Sequence, residues 1–267
     1  MKAAAIVLAG RREGRIDPFA RDHGVDDKCL IPIADEPLIV HVVRALAECE
    51  CVSHIVVVGG MESSLRECIN PIISFANKPL TILPAANNLV DSVFRGCIEG
   101  GFPAIVTTAD NVLLSPASVK EFVARTASIP EPAAAVAMVR REAVLAVHPQ
   151  GQRRFYEFSD GAYSNCNLYW IGDKAALRAA ESFRDGGQFV KFPLRIVRAF
   201  GLVNLLRFRF GIGSTDRIFS GISRRMRVNV RMIEISDGAC AIDVDHERSH
   251  SVASDVLAKR KGQPTAA

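Results

Sequence analysis

The feature that most constrains this chain is a succession of short apolar runs, each long enough for a buried strand and closed by glycine or aspartate. Residues 3–9 are continuously apolar and stop at Gly10, residues 54–58 stop at Gly59 and Gly60, and residues 104–108 lead to Asp110. Unbroken apolar runs, in place of alternation, fit parallel strands covered on both faces. Between the runs lie stretches with helical spacing. Leu38, Ile39, Val42, Val43 and Leu46 recur on one face, with Pro37 suited to a first turn, and residues 63–75 and 90–99 read the same way. A short strand at 80–83, a helix at 116–126 opened by Ser115 and Pro116, and a strand at 133–139 extend the series. A strand at 228–235 and the segment 241–245 precede a last helix. This alternation predicts a doubly wound α/β sheet.

A chain of 267 residues suits one α/β core with one elaboration. The expected organisation is a single domain over residues 1–260, a basic helical insertion at about 186–227, and a flexible tail over 261–267. With 49% apolar and 23% charged residues there is material for a substantial core. The net charge of +4 is too small for bulk attraction to nucleic acid. Seven scattered cysteines, with no CxxC pair and no histidine cluster at zinc-ligand spacing, read as reduced thiols of a cytoplasmic protein. The N-terminal run is too short for a signal peptide's apolar core, and no stretch reaches the roughly 18 uninterrupted apolar residues of a membrane span. The best candidate, 200–212, is broken by Arg207 and Arg209.

Residues 188–231 stand apart. Ten basic residues, among them Lys191, Arg195, Arg217, Arg224 and Arg225, face the single acid Asp216, and apolar residues such as Phe192, Leu194 and Ile196 interleave with them. One reading is a clamp for an anionic acceptor or a surface for anionic lipid. The other is an amphipathic helical pair packed on the core or against a second subunit, its arginines solvated.

In an open α/β sheet, ligands collect at the carboxyl ends of the strands. Four such places carry chemistry. The stretch Leu8, Ala9, Gly10, Arg11 to Arg15 combines glycines that allow close backbone approach with amides and arginines that can surround a triphosphate. Lys28, between an irregular loop and an apolar segment, could meet charge growing on the α-phosphate. Asp110 ends one strand, and Asp243 with Asp245 is read as ending another. Two carboxylates joined from distant positions make a Mg²⁺ site, because magnesium is commonly held by one or two carboxylates plus substrate phosphates. Taken singly, each aspartate could equally be a cap or turn former.

The residues Leu8, Ala9, Gly10, then Arg15, Lys28, Leu30, Pro32, Pro37, Leu38 and His41 resemble the N-terminal signature of the NTP-transferase superfamily. That group includes molybdenum-cofactor guanylyltransferase, sugar-1-phosphate nucleotidyltransferases and the cytidylyltransferases of isoprenoid synthesis. Thr107–Asp110 and Ala241–Asp245 resemble its strand-end metal aspartate and its C-terminal Asp-Ile-Asp segment. The likeness implies a Rossmann-like three-layer sandwich with a mostly parallel mixed sheet, of the nucleotide-diphospho-sugar transferase type, plus the basic insertion. It implies Asp110 and Asp243 for Mg²⁺, Lys28 and Arg15 for the phosphates, and Leu8, Ala9, Gly10 and Arg11 for the nucleotide pocket. Asn88 and Ser92 fall in the segment that meets the base, and Asn167, Lys191 and Arg195 are nominated for the acceptor.

The implied activity is transfer of a nucleoside monophosphate from CTP or GTP to a phosphorylated small molecule, with Ser92 favouring CTP and the overall likeness GTP. Three departures are visible: Arg11 stands at the second loop glycine, the loop to Lys28 is longer than usual, and His246-Glu-Arg-Ser249 replaces Thr-Pro-Glu-Asp. They motivate a nucleotide-binding regulatory module without catalysis as one alternative. A nucleotide-sugar-dependent glycosyltransferase is the other, and Lys28 argues against it, since a glycosyl donor needs no lysine to support departing pyrophosphate.

Overall fold

The structure, a computed structural model, describes residues 1–11, 17–131, 133–181 and 212–262. In chain order it runs β1 (Ala3–Leu8), α1 (Pro18–Asp22), β2 (Pro32–Ile33), β3 (Glu36–Pro37), α2 (Leu38–Glu48), β4 (Val52–Val58), α3 (Glu62–Ala76), β5 (Leu80–Leu83) and α4 (Leu89–Gly100). Then come β6 (Ala104–Thr108), α5 (Pro116–Thr126), β7 (Ala133–Arg140), α6 (Arg141–Val147), β8 (Tyr156–Phe158), β9 (Gly161–Ile171) and α7 (Leu177–Glu181). The last described elements are α8 (Thr215–Met226), β10 (Asn229–Glu234) and α9 (Glu247–Gly262), with short 3-10 turns at Lys28–Leu30 and Gly238–Ala241.

The main sheet has the order β10-β7-β9-β6-β1-β4-β5, with β8 added on β9. Neighbours are parallel except around β9, which runs antiparallel to β6, β7 and β8. The apolar run of β1 explains its central place. Ala3, Ala5 and Val7 point into a core shared with α2, α3, α5 and α9, while Ala4 and Ile6 point into a second core with Val93, Cys97 and Leu177 from α4 and α7. Alternate residues therefore feed opposite layers, and only a run apolar at every position satisfies both. The result is a mostly parallel mixed sheet with helices on both sides, as the sequence predicts.

The strands at 80–83 and 104–108 and the helix at 116–126 fall where the spacing places them. Four features differ. Pro37 is the residue capping α2, not part of its first turn. The eleven-residue β9 is hidden in the sequence because Ser164, Asn165, Cys166 and Asn167 interrupt the apolar pattern; Ser164, Cys166, Leu168 and Trp170 are buried, and the other face turns Asn165, Asn167 and Tyr169 toward a polar cleft. The segment holding Asp243 and Asp245 is not a strand end: it follows the 3-10 turn Gly238–Ala241 and meets the turn just beyond β6 through a single backbone hydrogen bond, Val244 N to Asp110 O at 3.0 Å, too few for a ladder. Lys261 and Gly262, expected in the tail, finish α9, whose Arg260 donates to Leu113 O at 2.9 Å.

Of the basic insertion, α8 lies among the described residues. It buries Thr215, Ile218 and Ile222 against Met138, Phe158 and Tyr163, and turns Arg217, Arg224 and Arg225 outward. Its packing follows the amphipathic reading. The remaining basic positions up to residue 211, including Lys191 and Arg195, fall outside the described residues.

Candidate active site

The reversal of strand order around β1 puts the carboxyl ends of β1 and β6 side by side, with Leu8 in register with Thr108. The chain leaves β1 through Ala9 and Gly10, and Ala109 N donates to Leu8 O at 3.0 Å. Gly10 passes so close to Gly59, at the end of β4, that a Cβ on Gly59 would fall 2.3 Å from Gly10 N and Cα. Gly59 also has a φ of 105°, open to glycine alone at little cost. A Cβ on Gly10 would stand 3.2 Å from Ala85 Cβ, so this loop borders the turn after β5. In that turn Asn88 caps α4, accepting from Asp91 N at 2.9 Å, and buried Ser92 accepts from Ala86 N at 3.1 Å through its hydroxyl. The loop after β1 therefore runs beside the turn that leads to Asn88 and Ser92.

Arg11 turns to another neighbour. Its Nε donates to Asp27 Oδ1 at 2.7 Å, and Asp27, only 3% exposed, also accepts from Met61 N at 3.1 Å. The hydrogen bond to Asp27 holds the guanidinium above its ordinary pKa, against a smaller opposing effect of burial. Arg11 therefore ties the first loop to the one that carries Lys28.

Lys28 begins a 3-10 turn anchored by buried Cys29, with Ile31 buried just beyond it. Its Nζ donates to Asp110 Oδ2 at 2.5 Å and to Asp245 Oδ1 at 2.6 Å, joining three distant parts of the chain. Burial by itself lowers the ammonium's pKa, but the charges of Asp110 and Asp245 outweigh it and hold the group above its usual value. Asp110 is fixed from behind, its Oδ1 accepting from Thr108 Oγ1 at 2.5 Å. Asp243 is pushed up to about 8 by burial, then by the negative charges of Asp110 and Asp245. It accepts a hydrogen bond at 3.0 Å from Nδ2 of Asn167, whose own backbone is left-handed at φ 47°.

The structure thus brings together Lys28, Asp110, Asp243 and Asn167, four of the residues nominated from sequence. Arg15, Lys191 and Arg195 fall outside the described residues. Asp245, read from sequence only as the companion of Asp243, takes a direct ion pair with Lys28. Other contributors escaped the sequence reading. Asn165 donates to Tyr169 Oη at 2.7 Å and to Asn167 Oδ1 at 3.1 Å, and accepts from Asn167 N at 3.2 Å. Burial, and then the charge of Asp243, raises the phenol of Tyr156. Fully buried Asn111 ties β6 to β9 through Cys166 O at 2.8 Å. The one signal available was Asn111's place one residue beyond Asp110; Tyr156 and Asn165 lie on β8 and β9, strands the sequence conceals.

Crowded carboxylates around one lysine stand at the carboxyl ends of parallel strands, where open α/β sheets collect their ligands. Solved structures share the architecture. A hypothetical transferase from Thermus thermophilus is 25% identical, covering 94% of this chain and 100% of its own, with a TM-score of 0.77. CMP:2-keto-3-deoxy-manno-octonic acid synthetase complexed with CTP is 13% identical over 97% of this chain and 100% of its own, with a TM-score of 0.57. The 4-diphosphocytidyl-2C-methyl-D-erythritol synthase of Anaerococcus prevotii is 10% identical over 96% of each chain, with a TM-score of 0.56. At those two identities the likeness concerns the fold alone. No curated protein matches the sequence.

Residues 5–186 match the model of the MobA-like NTP transferase domain, and the chain belongs to that family. It is a nucleotidyltransferase. The matched span holds Lys28 and Asp110, while Asp243 and Asp245 reach the site from beyond it.

Proposed function

We propose that this nucleotidyltransferase moves the nucleoside monophosphate of CTP or GTP onto a phosphorylated small-molecule acceptor, releasing pyrophosphate, with Mg²⁺ as cofactor. The observation that carries the reading is Lys28 Nζ held between Asp110 and Asp245, with Asp243 beside them, where β1 and β6 end together.

The donor set fits magnesium. Among the described residues no three His, Cys, Asp or Glu side chains are gathered as a complete metal cage. Magnesium needs none, since it keeps waters and takes substrate phosphate oxygens beside one or two carboxylates. Burial, and then repulsion from Asp110 and Asp245, raises the pKa of Asp243, and a divalent cation would relieve that repulsion. Asp110 and Asp243 would hold it, and it would supply neutralisation and polarisation of the triphosphate.

This chain's residues supply positioning and charge. Leu8, Ala9, Gly10 and Arg11 line the triphosphate, Asn88 and Ser92 shape the edge that receives the base, and Lys28 with Arg15 neutralises the phosphates. Asn167, with Lys191 and Arg195, receives the acceptor. An acceptor phosphate oxygen attacks the α-phosphorus in line with the departing pyrophosphate. That oxygen is already ionised at neutral pH, so no side chain need remove a proton.

A pyrophosphate-release screen over four NTPs and a panel of phosphorylated acceptors, with Mg²⁺ and with chelator, tests this. Release is expected with CTP or GTP, lost in chelator and reduced about 100-fold in Asp110→Asn. NTP binding by thermal shift with no release on any acceptor would favour the regulatory module instead.

The same reading includes cytoplasmic residence, supported by seven free thiols, and peripheral contact with anionic lipid through residues 188–231. The outward arginines of α8 support that contact. Among the described residues no helix is long and apolar enough to cross a membrane. Co-sedimentation with phosphatidylserine vesicles, absent with neutral vesicles, is the expected result.

A further inference from the structure

At the opposite end of the sheet, α2 gives way to β4 through Cys49, Glu50 and Cys51. The bend is fixed at several points: Cys49 N donates to Leu46 O at 3.3 Å, Val52 N to Cys49 O at 3.1 Å, and Ala3 N to Cys51 O at 2.9 Å. Lys78 adds two more contacts, its Nζ donating to Cys49 O at 2.5 Å and to Val52 O at 2.8 Å. With the backbone held this way, the two side chains lie together and their sulfurs stand 2.6 Å apart. A formed disulfide measures about 2.05 Å, so a small side-chain rotation suffices to close the bond. Among the described residues no other two cysteine sulfurs are in hydrogen-bonding contact.

The two thiols are unequal. Cys49 is buried, whereas Cys51 is partly open to solvent. The hydrogen bond the two sulfurs share, together with the positive charge of Lys78, outweighs burial and lowers the Cys49 thiol to about 6, while the same bond raises the Cys51 thiol. An exposed sulfur that a reagent can reach therefore sits against a shielded one with thiolate character.

The geometry points to Cys49 and Cys51 forming a thiol–disulfide exchange site, whose co-substrate is a low-molecular-weight disulfide. Cys51 passes its proton to the neighbouring Cys49 thiolate as its own sulfur attacks one sulfur of the small disulfide. A mixed disulfide forms, the small S–S bond breaks, and the first small group leaves as thiolate. Cys49 then gives up that proton and attacks the Cys51 sulfur, forming the intramolecular bond, breaking the mixed disulfide and expelling the second small group, which takes up the proton. The protein's thiol–thiolate pair loses two electrons and one proton, and the small disulfide gains both. Cys51 O pairs with the amino end of β1, while Lys28 and Asp110 stand at the carboxyl ends, so the inference is independent of the transfer reaction.

The full chain is equilibrated with glutathione disulfide, quenched in acid, alkylated and digested with trypsin. The peptide spanning residues 45–66 carries these two cysteines and no other. Wild type is expected to yield that peptide unalkylated and lighter by two hydrogens. In Cys49→Ser, lacking the resolving sulfur, the glutathione adduct on Cys51 should rise about tenfold over wild type. Full alkylation of both cysteines in wild type, a persistent adduct on Cys51 in wild type, or a bond from either cysteine to a third would each overturn the assignment; the wild-type peptide decides whether or not the variant folds.

Discussion

If Asp110 and Asp243 hold the proposed Mg²⁺, Lys28, which donates to Asp110, contends with the ion for that carboxylate, so Lys28→Met should separate metal binding from catalysis. The side chain is 20% exposed and Asp110 17%, and their 2.5 Å contact is charge-assisted. Such a bond contributes about 2 kcal/mol. Asp245, at 48% exposed, adds at most a few tenths of a kcal/mol after solvent screening. Metal-free Lys28→Met should therefore unfold at lower urea, by roughly 2 kcal/mol, because the carboxylates lose their counter-charge. A metal entering wild type must displace the ammonium from Asp110, and in the variant it need not. At 1.36 kcal/mol per tenfold, that difference makes Mn²⁺ bind the nucleotide-free variant about 30-fold more tightly. Turnover moves the other way, falling about 100-fold, since the ammonium proposed to neutralise the phosphates is gone. Mn²⁺ affinity is read by paramagnetic resonance of the free ion, with Mg²⁺ as competitor. Unchanged or weaker Mn²⁺ binding in a folded Lys28→Met protein would refute the claim that lysine and metal contend for the same carboxylates.

Gly59→Ala should cost about 3 kcal/mol in urea unfolding, because its Cβ would meet Gly10 N and Cα at 2.3 Å with φ at 105°; a loss under 1 kcal/mol would show that the two loops separate easily. His41 is buried and its pKa lies below the ordinary 6.5, chiefly through burial, with Nε2 donating to Ile33 O at 3.1 Å. A depressed histidine takes up its proton first in the unfolded chain, so its stabilisation is complete above pH 6.5 and declines as pH falls toward the folded value. The thermal midpoint of wild type should accordingly drop more between pH 7.5 and pH 5.5 than that of His41→Gln, and parallel curves would remove His41 from the account. Asn167→Ala should raise the acceptor's KM about tenfold and leave the NTP's KM unchanged; equal changes in both would place Asn167 outside the acceptor subsite.

Much of the fold was legible because central parallel strands must be apolar on both faces, a demand that residues 3–9 and 104–108 display openly. Asp110 was legible for the same reason, since the end of a recognisable strand is a recognisable place. Strand β9 was not, because its exposed face serves the cleft and carries asparagines where a covered strand would carry aliphatics. Asp245 was legible as a neighbour of Asp243 but not as a partner of Lys28, because no local pattern encodes a contact across 217 positions. Arg11 was legible as a departure from the resembled signature, while its anchorage on Asp27 required the second loop to be in place.

The sequence by itself determined the alternation of strands and helices, the glycine-bearing loop after the first strand, and the lysine and aspartates that make phosphate chemistry plausible. Only the tertiary structure decided which of those groups meet. Periodicity reports how each segment divides between core and solvent, whereas the charge balance of the site arises when β1 and β6 end side by side, Val244 pairs with Asp110, and the carboxylates of Asp110 and Asp245 share one ammonium ion beside Asp243.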